Sequence, residues 1–455
     1  MSDTLRENKM GTMGEGKLLF NMAAPIIISM LVTALYNIID SIYVSQVSES
    51  AVTALSLAYP IQNLEIAAAL GIGIGVNAHL SRALGERNQK AVNRAAGNGA
   101  FLAICCAVLF VTFGIFGTRP YFLAQSQVQE TVEGGIAYTS ICCIFSAGIF
   151  LEILGERLLQ ASGKTVFTLI SQGSGAVINI ILDPLFIHGG LGIPALGVAG
   201  AAIATVIGQW CGAFISFGLN LKFNTEVHFG LKYLIPKKSA VAPILAVGLP
   251  TFIMNGIGSV MTFGLNQILQ GFQETATGVL GVYFKLQSFF FMPLYGINNA
   301  AISILAFNYG AKKPQRIMKT LKVACIAALV IMVTGFAVFE IAPQLFIGMF
   351  NPSEHFMEMG CVALRIISIG FPIAADCVIL TALFQGLGNG VDSAVISVCR
   401  QLLVLLPVAW LLSLSGNVNL VWWAFPISEI ASAMVSVVLF IRLYRKKIKP
   451  LYGED

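Results

Sequence analysis

Two carboxylates in this 455-residue chain stand beside amides at helical spacing, inside stretches that are otherwise apolar. In "LYNIIDSIYVSQ" (35–46) Asn37 precedes Asp40 by three residues, and in "NIILDPLFI" (179–187) Asn179 precedes Asp183 by four. Residues three or four apart share one face of a helix, so each pair would present a carboxylate with an amide next to it. Oxygen donors of this kind suit a small hard cation. Two carboxylates brought together can also hold a proton, because one resists ionisation beside the other. The residue types do not choose between Na+ and H+. A blander alternative is that each aspartate caps or bridges helices; Asp183 precedes Pro184 and could satisfy backbone that the proline frees.

A carboxylate in the middle of a membrane helix costs about 2.5–3.5 kcal/mol on insertion scales, so such groups mark cavities and ion pathways. The other candidates are Glu65, Glu152, Glu156, Asp376 and Glu429, with the cations Lys285, Arg365 and Arg400. Glu65 and Glu429 are expected to be structural hydrogen-bonding groups. Glu152 and Glu156 are expected near the cytoplasmic end of their span, with Glu156 and Arg157 forming an interfacial pair. Lys285, Asp376 and Arg400 are expected to neutralise one another in a structural network. Pro25 shares its helix with Asp40, which makes it the candidate hinge.

The elements that must position these groups follow from composition. The chain is 56% hydrophobic and only 11% charged, far below the roughly 25% charged content of a soluble domain. Twelve apolar runs of the roughly 20 residues needed to cross a bilayer are separated by short polar connections, the fourth and tenth being the least clean. Net charge is +5. Lys and Arg collect at the termini and in the connections after even-numbered spans, whereas Arg119 alone marks the odd ones. The positive-inside rule therefore puts both termini in the cytoplasm, in a cell (inner or plasma) membrane. The opening "MSDTLRENKMGTMGEGK" is polar and the run after it lacks a small-residue cleavage site, so no secretory signal is expected. Nine cysteines fall inside the spans with no metal-binding spacing. The basic tail "RKKIK" reads as a juxtamembrane cluster beside an anionic leaflet, not a nucleic-acid site.

Sliding the sequence against itself by 225 residues pairs Pro25 with Pro250, Glu49 with Glu274, Gln62 with Gln287, Gly71 with Gly296, Gly85 with Gly310, Gln160 with Gln385 and Gly163 with Gly388. The chain is therefore predicted to be an all-α membrane protein of two six-helix pseudo-symmetric lobes. The predicted parts are an N-terminal segment (1–17), an N-lobe (18–219), a linker (220–240), a C-lobe (241–444) and a tail (445–455). Halves of six spans enter the membrane from the same side, and such repeats place the cargo site between them and alternate its access by rocking. "QASGKTVF" lacks the first glycine of a phosphate-binding loop, and no HExxH or GxSxG occurs, so ATP does not drive the protein directly and an enzyme is not expected. An intramembrane dyad enzyme built on Asp40 and Asp183 would leave the repeat unexplained. A channel, the other rival class, would have no need of coupling.

Several stretches together resemble the multidrug and toxic compound extrusion (MATE) transporters, most closely their bacterial MepA-like branch. They are "AAPIIISMLVTALYNIIDSIYVSQ", "ALGERN" answered by "NYGAKKP", "LLQASGK" answered by "LFQGLGN", and "NIILDPLFI" followed by "GVAGAAIATVIGQ". The resemblance covers about residues 15–445. It implies export of organic, often cationic or aromatic compounds in exchange for H+ or Na+, with no other cofactor, by a chain expected to act as a monomer in the lipid bilayer. It also implies an N-lobe coupling site of Asp40, Asn179, Asp183 and Thr205, which would hold Na+ if that is the ion. Tyr36 and Asn37 would line the same cavity, with Asp376 on its C-lobe wall. Span 7 lacks the glutamate that some members carry, so the N-lobe is the expected coupling site. Lipid-linked oligosaccharide or polysaccharide flippases of the same superfamily are the alternative.

Overall fold

A computed structural model describes residues 8–190, 192, 194–272, 274–350 and 353–453, apart from the side chains of residues 37, 41, 49 and 274. Ten helices are long and apolar enough to span a membrane, and counting each of two bent pairs as one span brings the total to twelve. They are α1 (Glu15–Ser45), α2 (Glu49–Gly85), α3 (Gln89–Phe116), α4 (Gln129–Ile144 with Ala147–Ala161), α5 (Thr165–Ile187) and α6 (Val198–Phe223). The second set is α7 (Lys238–Gln270), α8 (Glu274–Gly310), α9 (Pro314–Ile341), α10 (Glu354–Ser368 with Phe371–Gly386), α11 (Gly390–Ser413) and α12 (Ala424–Leu443). The bends are 47° in α4 and 50° in α10, and they explain why the apolar runs there read least cleanly.

The short motifs of the repeat turn out to be helix stops. After α2, Asn88 N–H bonds to Ala83 O at 3.0 Å and Arg87 N–H to Leu84 O at 3.1 Å; after α8, Lys313 N–H bonds to Asn308 O at 2.9 Å and Lys312 N–H to Tyr309 O at 3.1 Å. The same nested pair closes α4 and α10, with Gly163 and Gly388 at the left-handed position. These are Schellman caps, which satisfy carbonyls that the helix end leaves free. In the first two turns an Arg and a Lys, both at φ 55°, occupy the position that usually belongs to glycine.

The prolines also have a local account. Pro25 lies inside α1, which continues as one helix through it. Having no N–H, Pro25 leaves the carbonyl of Asn21 without its helical donor. Thr165 Oγ1, at the start of α5, donates to that carbonyl at 3.4 Å. In the second half the matching carbonyl, Ala246, faces Gly390, where an added Cβ would sit 2.7 Å from it. Thr165 and Gly390 are equivalent under the same 225-residue shift.

Glycines set the contact between the lobes. A Cβ on Gly71 would come within 2.7 Å of Gly248 O, and one on Gly248 within 2.8 Å of Gly71 O. Further along, a Cβ on Gly85 would overlap the carbonyl of Phe307, and one on Gly310 the carbonyl of Arg82. That second contact is reciprocal in the repeat register, as expected of two halves related by a pseudo-two-fold axis along the membrane normal. It seals the face of the molecule that holds both described ends of the chain.

The segment before α1 crosses this seal. Asn8 Nδ2 donates to Ser162 O at 3.3 Å and to Glu226 Oε1 at 2.7 Å on the first half. Met10, fully buried, gives its carbonyl to Asn308 Nδ2 at 3.2 Å on the second half. Lys313 Nζ donates to Gly11 O at 3.1 Å, and Arg316 pairs with Glu15 at 3.4 Å. Burial pushes the Glu226 carboxyl above the usual carboxylate range, partly offset by Lys164, Asn8 and Lys9 around it.

Candidate functional site

The N-lobe site begins where two helices touch. Gly175 of α5 and Gly208 of α6 face each other so closely that a Cβ on either would lie 2.9 Å from the other's carbonyl oxygen. One turn along α5, Asn179 is therefore carried against Thr205, and its Nδ2 lies 3.4 Å from Thr205 Oγ1 and 3.3 Å from Asp183 Oδ1. With its amide turned over, Nδ2 donates to Asp183 Oδ2 and Oδ1 accepts from the Thr205 N–H, each at 3.2 Å. Asp183 is fully buried, whereas Asn179 and Thr205 reach the wall of the central cavity.

From α1, Tyr36 lines that cavity and Asp40 lies one turn further along. The Oδ1 atom of Asp40 is buried and has no hydrogen-bond partner. Asp40 acts electrostatically on Asp183, and both act on Tyr36. The structure thus gathers Tyr36, Asp40, Asn179, Asp183 and Thr205 in one region of the N-lobe. The side chain of Asn37 lies outside the described residues. Two carboxylates, an amide and a hydroxyl can take up a proton or bind a small hard cation through oxygen. Among the described residues no group of three or more His, Cys, Asp or Glu is arranged to hold a metal ion.

The cavity has a volume of about 430 Å³ and lies between the lobes. A pocket of that size suits a drug-sized molecule. Glu152, Glu156 and Gln160 repeat at every fourth residue along α4 and all line it, together with Arg157. This corrects the expectation of an interfacial Glu156–Arg157 pair. Both residues are buried, and Arg157 donates from Nη1 to Gln160 Oε1 at 2.7 Å and to Asn299 Oδ1 at 3.0 Å instead. The i, i+4, i+8 spacing of 152, 156 and 160 was the available signal, since it lays three polar groups on one stripe of an apolar span. Asn299, on α8, had no such signal.

The C-lobe departs from expectation in two places. Asp376 does not line the cavity; it is exposed, next to Cys325 of α9. Cys377, Val378, Thr381 and Gln385 take the cavity face of α10, which leaves position 376 on the other side of the helix. The network of Lys285, Asp376 and Arg400 does not form either. Arg400 pairs with Glu429 of α12 at 3.5 Å, and Lys285 lies 6.0 Å from the Phe350 ring centroid. Arg400 stands on a π-helical stretch, Cys399–Leu405, and lines the cavity. Such bulges shift one side chain out of the helical register and are common at functional sites.

The MatE family model matches residues 25–185 and 250–411. The chain belongs to the MatE family. The two matched stretches begin at Pro25 and Pro250, the register of the internal repeat. Multidrug export protein MepA of Staphylococcus saprophyticus is 22% identical over 94% of this chain and 94% of its own. An FAD transporter of Shewanella oneidensis is 23% identical over 94% of this chain and 95% of its own. A crystal structure of a MATE protein in complex with MaL6 matches with a TM-score of 0.90 at 24% identity, covering 98% of this chain and 99% of that one. The fold of this chain is therefore the two-lobed, twelve-span fold of MATE proteins, and the chain is a multi-pass membrane transporter.

Proposed function

We propose that this MatE protein is a secondary active antiporter of the cell membrane, expelling drug-like organic compounds in exchange for H+ or Na+. The observation that carries the proposal is the cluster of Asp40, Asn179, Asp183 and Thr205 directly behind the Tyr36 wall of the interlobe cavity. Cargo and coupling ion then sit within electrostatic reach, so occupancy of one site biases the other. The name of the staphylococcal relative, a multidrug export protein, supports the cargo class. One elementary charge moving through 100 mV is worth about 2.3 kcal/mol, which sustains a gradient of nearly fiftyfold. A single coupling ion at Asp40 and Asp183 exchanged for a neutral molecule is enough for useful export, whereas one-for-one exchange for a monocation draws on the ion's concentration gradient alone.

With both termini in the cytoplasm, the sealed face is the cytoplasmic one and the cavity serves the outside. Binding of the ion at Asp40 and Asp183 changes the bend of α1 at Pro25 and displaces the cargo. The experiment is dye extrusion from a bacterium stripped of its own efflux pumps and loaded with ethidium. Cells carrying the protein expel the dye, cells carrying Asp183→Asn at equal membrane abundance do not, and equal extrusion by both would exclude this site as the coupling element.

A further inference from the structure

Arg157 stands on the cavity wall in a condition that Arg400 does not share. The residue is 7% exposed, and among the described residues no carboxylate forms an ion pair with it. Its Nη1 is used by two neutral acceptors, Gln160 Oε1 from its own helix and Asn299 Oδ1 from the opposite lobe. Its Nε is buried and has no acceptor at all. Glu156 is the preceding residue and exerts a field on Arg157, but its own Oε1 is also buried and unpartnered. Consecutive residues point about 100° apart around a helix. Arg400, by contrast, has Glu429.

A buried guanidinium without a hydrogen-bonded carboxylate is unfavourable. The surroundings nonetheless keep it in place. A Cβ on Gly73 of α2 would lie 2.9 Å from Arg157 Cγ, so the glycine there makes room for the stem. Gln160 and Asn299 fix the plane of the group through one nitrogen, which leaves other N–H donors of the fork for a ligand. A planar fork of donors matches an anion with two or three oxygens, where a point charge would not.

We propose that Arg157, with Gln160 and Asn299 orienting it, is a binding site for an anionic oxygen group of the cargo, a carboxylate or a phosphate. Glu152 and Glu156 on the same stripe of α4 face the rest of the molecule, so the favoured cargo joins its anionic oxygen group to a cationic or hydrogen-bond-donating portion. Because Asn299 belongs to the other lobe, the bound anion sits across the joint that must open and close. The inference rests on the efflux reading above and adds the chemistry of the cargo to it.

The test uses two matched pairs of fluorescent probes bound to the purified protein. Rhodamine 110 and its methyl ester rhodamine 123 differ by a free carboxylate, and flavin mononucleotide and riboflavin differ by a phosphate. In at least one pair the anionic member binds tenfold or more tighter than its partner, and the pair in which it does identifies the group. Arg157→Gln removes at least ten times more affinity for that anionic member than for its partner, and Arg157→Lys restores part of the difference. Equal loss for both members would reduce Arg157 to a structural role and overturn the inference. So would a wild type that binds the neutralised member of both pairs equally well or better, or that exports ethidium yet binds none of the four. Failure to export ethidium as well would instead remove the efflux reading itself.

Discussion

Asn179 ties Asp183 to Thr205: its amide nitrogen donates to the carboxylate and its oxygen accepts from the Thr205 N–H. A hydrogen bond to a charged group is worth about 1.5–3 kcal/mol, so Asn179→Ala is expected to slow gradient-driven efflux by about tenfold or more at unchanged abundance. Efflux within about twofold of wild type would remove Asn179 from the coupling site. Asp376→Asn is the contrasting case: with the side chain turned from the cavity, efflux kinetics should stay within about twofold of wild type. Glu429→Leu strips Arg400 of its partner and should destabilise the protein by on the order of 3 kcal/mol, while the double change with Arg400→Met recovers much of that loss. A thermal midpoint measured for the single and double variants checks it. At this scale the sequence is informative about which polar groups lie inside the spans and silent about which way they point. Asp183 and Asn179 were legible because two residues one turn apart share a face wherever the helix turns. Asp376 was misread because one step along a helix swings a side chain by about 100°, and no second polar group in its turn marked the cavity side.

Helix ends and helix contacts carry most of what distinguishes this fold from a generic bundle. Arg87 and Lys312 hold left-handed backbone that costs a non-glycine residue roughly 1–2 kcal/mol, so Arg87→Gly should raise the thermal midpoint of unfolding. An unchanged or lower midpoint would show that the arginine side chain repays its strain elsewhere. Gly175 and Gly208 bring α5 and α6 close enough for Asn179 to reach Thr205. Gly175→Leu should therefore part that pair and suppress coupled efflux with every polar group of the site intact; normal coupling in this variant would mean the contact is dispensable. Spans and repeat were legible because apolar length and matched glycines and prolines can be read along the chain, whereas the helix stops that the repeated motifs form were not. The 47° and 50° bends showed only as poor runs, because a break of two residues leaves composition almost unchanged. The π-helical stretch under Arg400 left no trace in composition.

The whole molecule is two similar lobes whose charged groups are unevenly shared. Under the 225-residue shift Asp40, Asn179, Asp183 and Thr205 fall on Leu265, Val404, Val408 and Ile430, so this set of oxygen donors has no counterpart in the second lobe, which supplies a matching frame. The segment 8–15 ties both lobes together at the sealed face through Ser162, Glu226, Asn308 and Arg316. Removing residues 1–13 should let that face open more often, seen as a longer spin-label distance between positions 84 and 311; an unchanged distance would mean that the glycine contacts hold the seal alone. The central claim is that ion movement through Asp40 and Asp183 drives cargo export. Its most direct test is efflux of an organic dye from proteoliposomes under an imposed H+ gradient and, separately, an imposed Na+ gradient, with wild type and Asp40→Asn side by side. The account predicts dye movement driven by one of the two gradients in wild type and abolished in Asp40→Asn, and movement at the wild-type rate in that variant would contradict it.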